Sequence, residues 1–395
     1  MNVVELRKGR VKPIWLGHPW VFRRAIKGAS GPPEAGEVVA VDDPTGKRLG
    51  HGLWHTQSAI AVRMLPGCDD GVLGPDWLKA RLEAAAALRK EHAGLPDEQH
   101  SAYRLVHAEG DALPGLLVDV FGDVLAVGYT SFGIWQRREL VLDALEATLS
   151  PRAIVEIEAG APTIEGIPIG PRVVRGELED PRVLYRENGL ELEARLPGGQ
   201  KTGAYLDQRL NRALMAAHSR SRSVLDLYCY HAGFAINALA AGARRAVAVD
   251  ASGPAIKAAR EDAIRNGVEG RLELVQEDVI RYLKSDASQE EAFDVVIIDP
   301  PPMSRSRTHR EQALKAYTAL HRAALPRLES GGLLLTCSCS SAIDHVALER
   351  VLVTAAREAG RSVQVLQLLG AGPDHPVRLP CVESRYLSAL LCRVN

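Results

Sequence analysis

From residue 191 onward the chain alternates between two hydrophobic rhythms. Short apolar runs fit strands at 223–227, 246–250, 271–275, 293–298, 332–337, 363–368 and 386–393. Amphipathic stretches between them fit helices at 234–241, 253–266, 310–328 and 344–359. This alternation predicts a doubly wound α/β fold, a mostly parallel seven-stranded sheet covered on both faces. No helical stretch separates the last two runs, which predicts an antiparallel pair at one edge.

The first 190 residues have another texture. Residues 1–70 hold short β-type runs at 38–41 and 59–62, separated by Gly31-Pro32-Pro33 and Asp42-Asp43-Pro44-Thr45-Gly46, and predict a small β-barrel. Residues 71–100 are expected to be a helical linker, with Asp76 as N-cap and Gly94 as the stop. In 101–190 a Phe121-Gly122-Asp123 turn between runs at 116–119 and 124–127 predicts a hairpin. A helix at 134–149 and strands near 153–158 and 172–175 complete an α+β middle domain, leaving 191–395 as the last domain.

A chain of 395 residues is too long for one ordinary core, and 46% hydrophobic with 25% charged residues is an average globular composition. No apolar run approaches ~18 residues, so no membrane span is expected. The N-terminus, with Glu5 and several basic residues, does not read as a signal peptide, and the expected location is the cytoplasm. The six cysteines, at 68, 229, 337, 339, 381 and 392, form no C-x-x-C and no zinc-ligand spacing. Reduced thiols and no metal are expected. The net charge of -1 is uninformative, but Arg7, Lys8, Arg10, Lys12, Arg23, Arg24 and Lys27 face only Glu5 in the first segment. Such a patch suits a polyanion partner; a solvated face fits the charge equally well.

Three strand ends carry acids. Asp226 closes the first strand of the alternating region ahead of the small-residue turn Tyr228-Cys229-Tyr230-His231-Ala232-Gly233-Phe234, Asp250 closes the second, and Glu277-Asp278 follow the third. Ligands of doubly wound sheets lie beyond the carboxyl ends of the strands. Each acid alone is more often a cap; three in succession favour a nucleoside site, with Asp250 on ribose hydroxyls. The turn lacks the G-x-G-x-x-G pattern that cradles a pyrophosphate. A ligand without phosphates, S-adenosylmethionine, fits better.

Two further strand ends carry reactive groups. The run 293–298 breaks into Asp299-Pro300-Pro301-Pro302, and 332–337 breaks into Ser338-Cys339-Ser340. An acid and a thiol facing one crevice suit methylation of a pyrimidine ring carbon, which a thiolate must first activate. Strand alternation puts Cys337 and Cys339 on the same side, so periodicity does not choose between them. Cys339 lies further past the apolar run.

The string Gly199-Gln200-Lys201-Thr202-Gly203-Ala204-Tyr205-Leu206-Asp207-Gln208-Arg209, the turn 228–234, Asp299-Pro300-Pro301 and Ser338-Cys339-Ser340 occur in order. Together they resemble the bacterial 23S rRNA cytosine-5 methyltransferases of the RlmI type, over nearly the whole chain. Gly17-His18-Pro19-Trp20-Val21-Phe22 is similar to the start of that family's RNA-binding PUA domain, and Asp374-His375-Pro376 to a late loop. The resemblance implies a PUA β-barrel, a middle domain and a Rossmann-like class I methyltransferase domain. It implies Cys339 as nucleophile with Asp299 beside the base. It implies a cofactor site of Lys201, Gln208, Asp226, Tyr228, Gly233, Phe234, Asp250, Ala251, Asp278, Val279, Asp299 and Pro300. S-adenosylhomocysteine would be the product and rRNA the partner, contacted by Arg7, Lys8, Arg10, Lys12, Arg23 and Arg24, with a homodimer as one assembly. His231-Ala232-Gly233 and Pro302-Met303 depart from the family's usual Thr-Gly-Gly and Lys-Phe. Guanine or uracil methylation by a sister branch, and a non-catalytic RNA-binding assembly factor, are the alternatives.

Overall fold

The computed structural model describes residues 1–395 except 160–164, 169, 199–202, 287–290, 304–309 and 341–342. The chain divides into two compact units. One comprises Met1–Tyr185, Ala194–Leu206 and Pro373–Ser384; the other comprises Arg186–Glu193, Asp207–Gly372 and Arg385–Asn395. No described helix is long and apolar enough to cross a membrane.

The second unit is the expected doubly wound sheet. Its strands are β1 (Ser223–Leu227), β2 (Arg245–Asp250), β3 (Leu272–Gln276), β4 (Phe293–Ile298), β5 (Leu328–Ser338), β6 (Val363–Leu369) and β7 (Ser388–Val394). They lie in the order 3-2-1-4-5-7-6. The first five are parallel, whereas β7 runs antiparallel to both β5 and β6, the predicted edge pair. Central strands are buried on both faces, which is why they appear as nearly unbroken apolar runs. Among the described residues its helices are α1 (Arg209–Ala217), α2 (Gly233–Ala240), α3 (Gly253–Arg265), α4 (Val279–Lys284), α5 (Arg310–Ala324) and α6 (His345–Glu358). Tyr317 and Leu320 from α5 join Leu348 and Val351 from α6 in one core with Leu227, Val296 and Ile298. Each fully buried side chain of this kind contributes about 1.5–3 kcal/mol.

Several boundaries differ from expectation, for local reasons. The helix expected over 310–328 stops at Ala324, where Leu325–Arg327 tightens into a 3-10 turn around Pro326. The strand expected at 332–337 begins earlier, at Leu328. The short helices α1 and α4 were not predicted: α1 spans only nine residues and α4 a bare six.

Apart from the two-stranded ladder of Arg182–Glu187 with Leu190–Arg195, whose residues are divided between the units, the described residues of the first unit form two sheets. A mixed six-stranded sheet has the order Trp20–Phe22, Ile60–Met64, Arg48–Trp54, Val38–Asp42, Val3–Leu6, Ile26–Ala29. Val21 from one edge strand and Ile26 from the other meet in the same core cluster, so the sheet is rolled around its own interior. The second sheet orders Arg172–Gly176, Ala153–Ile157, Val124–Tyr129, Leu116–Phe121 and Ala102–His107, with the predicted hairpin at Gly122. The helix Pro75–His92 is capped by Gly74 rather than Asp76, because Pro75 occupies the first turn and Asp76 falls inside it. The helix expected at 134–149 is split into Phe132–Trp135 and Arg138–Leu149.

The loop Pro373–Ser384, between β6 and β7, belongs to this first unit. Buried Arg89 explains its anchorage: Nη2 donates to the Asp374 carbonyl at 2.7 Å, and the guanidinium holds Asp111 bidentately at 2.5 and 2.8 Å. Arg104 grips Asp119 in the same way, while its backbone N–H donates to Asp374 Oδ2 at 3.1 Å.

Candidate active site at the strand ends

The sheet register builds the site. Val249 on β2, Leu227 on β1, Ile298 on β4 and Thr336 on β5 are successive cross-strand partners. One residue further along, the same row carries Asp250, Tyr228, Asp299 and Cys337. Strand order reverses between β1 and β4, the switch point at which such sheets bind ligands.

The turn after β1 is unusual. Tyr228, Tyr230 and Ala232 all take left-handed backbone conformations, with φ of 63°, 51° and 55°. Each costs on the order of 1–2 kcal/mol for a residue with a Cβ. Hydrogen bonds hold it: Cys229 N–H to Val249 O at 3.1 Å, Ala232 N–H to Cys229 O at 2.7 Å, and Tyr230 N–H to Asp250 Oδ2 at 2.9 Å. Gly233 follows where a Cβ would stand 3.0 Å from Arg212 Cδ. Arg212 is itself fixed by a buried bidentate pair with Glu187 at 2.5 and 2.6 Å, and its guanidinium lies over the ring of buried Phe234.

Asp226 is buried beneath this turn. Its Oδ2 accepts from Ala235 N–H at 3.1 Å, and Oδ1 has no partner among the described residues. Burial pushes its carboxyl up to about 7, and the neighbouring Asp299 and Asp250 carboxylates add to the shift. An unsatisfied buried oxygen is costly unless a ligand completes it. Asp250 Oδ1 accepts from Ser252 N–H at 2.8 Å at the exposed turn that includes Ala251. Asp278 caps α4 through Arg281 N–H at 3.0 Å, the capping role weighed for it from sequence, while Val279 turns into the core. Tyr228 is half-buried; burial, then Asp278 and Asp250, pushes its phenol up to about 12.

The thiols separate clearly. Cys337 is the penultimate residue of β5 and fully buried; burial first, then Asp299, drives its pKa far above the usual thiol range. Cys339 lies beyond the last strand residue, Ser338, and is partly exposed. Gln208 lies against the Cys337 thiol and accepts from Asn211 Nδ2 at 2.6 Å. The Asp299 backbone N–H reaches Leu227 O at 3.4 Å, and Pro300 after it is buried. Lys201 lies outside the described residues.

Two residues behind β5 escaped sequence reasoning. His321 Nε2 lies 2.7 Å from Thr336 Oγ1, with burial pushing the ring down to about 4. Tyr317 packs below Cys339 and Asp299, and burial raises its phenol strongly. Their four-residue spacing on a predicted helix was the available signal.

The predicted RNA contacts divide. Arg7, Lys8, Arg10, Lys12 and Arg24 are exposed. Arg23 is engaged within the rolled sheet, donating to the carbonyls of His55 at 2.6 Å and Ser58 at 3.0 Å and lying over Trp54.

The fold and these strand-end acids define an S-adenosylmethionine-dependent methyltransferase. Residues 176–393 match that family, and residues 4–66 match a PUA-like domain. Over 395 residues the chain is 33% identical to ribosomal RNA large subunit methyltransferase I of Tolumonas auensis and 34% identical to that of Photobacterium profundum, covering 99% of each protein and 99% of this chain. It belongs to the ribosomal RNA large subunit methyltransferase I family. A solved Streptococcus mutans protein assigned to the S-adenosylmethionine-dependent methyltransferases has the same fold, with a TM-score of 0.85 at 21% identity and full coverage of both chains. The unpartnered Asp226 oxygen and the Asp250 carboxylate fit a ligand that brings an amine and ribose hydroxyls.

Proposed function

We propose that the chain methylates carbon 5 of a cytosine in large-subunit ribosomal RNA through a covalent bond between Cys339 and the base. The observation that carries this reading is the contrast between two thiols two residues apart. Cys337 is sealed in the sheet as a neutral thiol, and Cys339 is accessible just past the strand end. The family membership supplies the ribosomal RNA, and the PUA-like segment supplies a module to hold it.

Carbon 5 of cytosine is a weak nucleophile. Addition of the Cys339 thiolate to carbon 6 forms a C–S bond as the C5=C6 π pair moves onto carbon 5. Bound in this site, S-adenosylmethionine would supply an electrophilic sulfonium methyl, to which the carbon-5 pair bonds as the S–CH3 bond breaks and S-adenosylhomocysteine leaves. Loss of the carbon-5 proton to a base restores the double bond and expels Cys339 as thiolate. Asp299 orients the base through its Watson–Crick edge, and a base inside structured RNA is flipped out to reach it. Asp226, Asp250, Asp278, Gly233 and Gln208 line or close the cofactor site, along with Lys201.

The test is methylation of 23S rRNA with labelled S-adenosylmethionine, followed by nucleoside analysis. 5-Methylcytidine is expected, with activity falling by about 10⁴-fold in Cys339→Ala and staying near wild type in Cys337→Ala. Methylguanosine or methyluridine as the product would move the chain to a sister branch, and no product would leave an RNA-binding factor.

A further inference from the structure

Two segments of the first unit, far apart in sequence, meet at a clasp. A Cβ on Gly17 would lie 3.5 Å from Pro380 Cγ, and His18 Nε2 is 3.5 Å from Glu383 Oε2. Cys381 completes a cluster whose ligand-capable atoms lie within 4.8 Å of one another. A metal does not fit it well. His18 Nδ1 accepts the Trp20 N–H at 3.0 Å, which puts the neutral ring's proton on Nε2, the atom facing Glu383. Burial also holds Cys381 as a thiol, pushed up to about 12. The cluster is a packed polar clasp rather than a metal site.

Next to this clasp in the chain stand four exposed large apolar side chains. Trp15 is 67% exposed and Leu16 54%, while Leu379 is 83% and Val382 69% exposed. The fold enforces the exposure of Trp15: the single turn Lys12–Trp15 buries Ile14, which turns its neighbour outward. The rim is cationic. Lys8, Arg10 and Lys12 are exposed, and the one acid before residue 34, Glu5, is held by Lys27 at 2.8 Å. Lys12 stands on the indole's own turn, Lys8 and Arg10 in the preceding segment, and the facing loop's Glu383 is turned to His18. Such an indole is complementary to an unpaired polyanion with stackable bases, and aromatic stacking with phosphate contacts is how proteins hold single-stranded nucleic acid.

We propose that Trp15, with Leu379 and Val382 on the neighbouring loop, is a docking surface for an unpaired stretch of RNA. Trp15 stacks on a base, and Lys8, Arg10 and Lys12 take the adjoining phosphates. This rests on the reading of the chain as an enzyme acting on RNA, and it adds a contact in the first unit that the chemistry does not use.

The test measures binding of a mixed-sequence 12-nucleotide single-stranded RNA to the full-length protein by anisotropy. Trp15→Ala is expected to weaken binding by roughly 5- to 100-fold, the range that stacking on one base supports. Trp15→Phe should retain most of the affinity, and Lys12→Ala should lower the salt slope by about one. Unchanged S-adenosylmethionine binding in each variant controls for folding. RNA affinity of Trp15→Ala equal to wild type overturns the proposal. So does a loss confined to ribosomal particles with naked RNA unaffected, which would make this face a protein contact. Failure of the wild type to methylate any rRNA would sink the functional reading separately, because RNA binding through Trp15 is read without turnover.

Discussion

Two buried ionic sites in this chain are built in opposite ways. Around Arg89 and Arg104 each guanidinium grips a carboxylate bidentately and spends further donors on carbonyls or a neighbouring histidine. At the ends of β1 and β2 a buried Asp226 oxygen lacks a partner among the described residues, and three residues with side chains are held left-handed. A closed network specifies one structure; an open one stores unfavourable energy that a ligand can release. The closed cluster holds the loop Pro373–Ser384 in place, and the open one is the proposed S-adenosylmethionine site.

The largest effect should come from the closed site. Arg89→Met leaves Asp111 buried without its cation and is expected to cost about 3–5 kcal/mol in denaturant unfolding. A loss below about 1 kcal/mol would mean that the network does not hold the unit together.

Asp226→Asn should act with the opposite sign. The folded carboxyl titrates near 7, above its unfolded value, so folding is penalised progressively as pH rises from about 4 to 7, and fully above that. The asparagine keeps the acceptor for Ala235 N–H and removes the buried charge. It is expected to stabilise the protein by about 2–4 kcal/mol at pH 8, with the gain vanishing towards pH 4. At the same time S-adenosylmethionine affinity should fall about tenfold by calorimetry, the loss of one charge-assisted hydrogen bond. A variant destabilised at pH 8 would show that Asp226 belongs to a satisfied network after all.

The open site was largely legible in the sequence, and the closed one was not. Parallel strands buried on both faces appear as apolar runs, so the acids that end them, Asp250 and Asp299, stand out. The choice between Cys337 and Cys339 was beyond periodicity, because alternation puts them on one face. The structure separates them by burial: β5 stops at Ser338, which leaves Cys337 sealed in the sheet and Cys339 partly exposed beyond it. Pairings such as Arg212 with Glu187, or Arg89 with the Asp374 carbonyl 285 residues away, leave no local pattern. Arg23 looked like part of a basic patch because charge alone does not reveal that its guanidinium is engaged by the His55 and Ser58 carbonyls.

The central claim is a covalent bond from Cys339 to the base, and 23S rRNA transcribed with 5-fluorocytidine tests it most directly. Fluorine at carbon 5 blocks the final proton removal, so the thioether persists. With S-adenosylmethionine present, wild type and Cys337→Ala are expected to give a denaturation-resistant protein–RNA adduct, and Cys339→Ala none. An adduct that survives in Cys339→Ala, or depends on Cys337, would contradict the account.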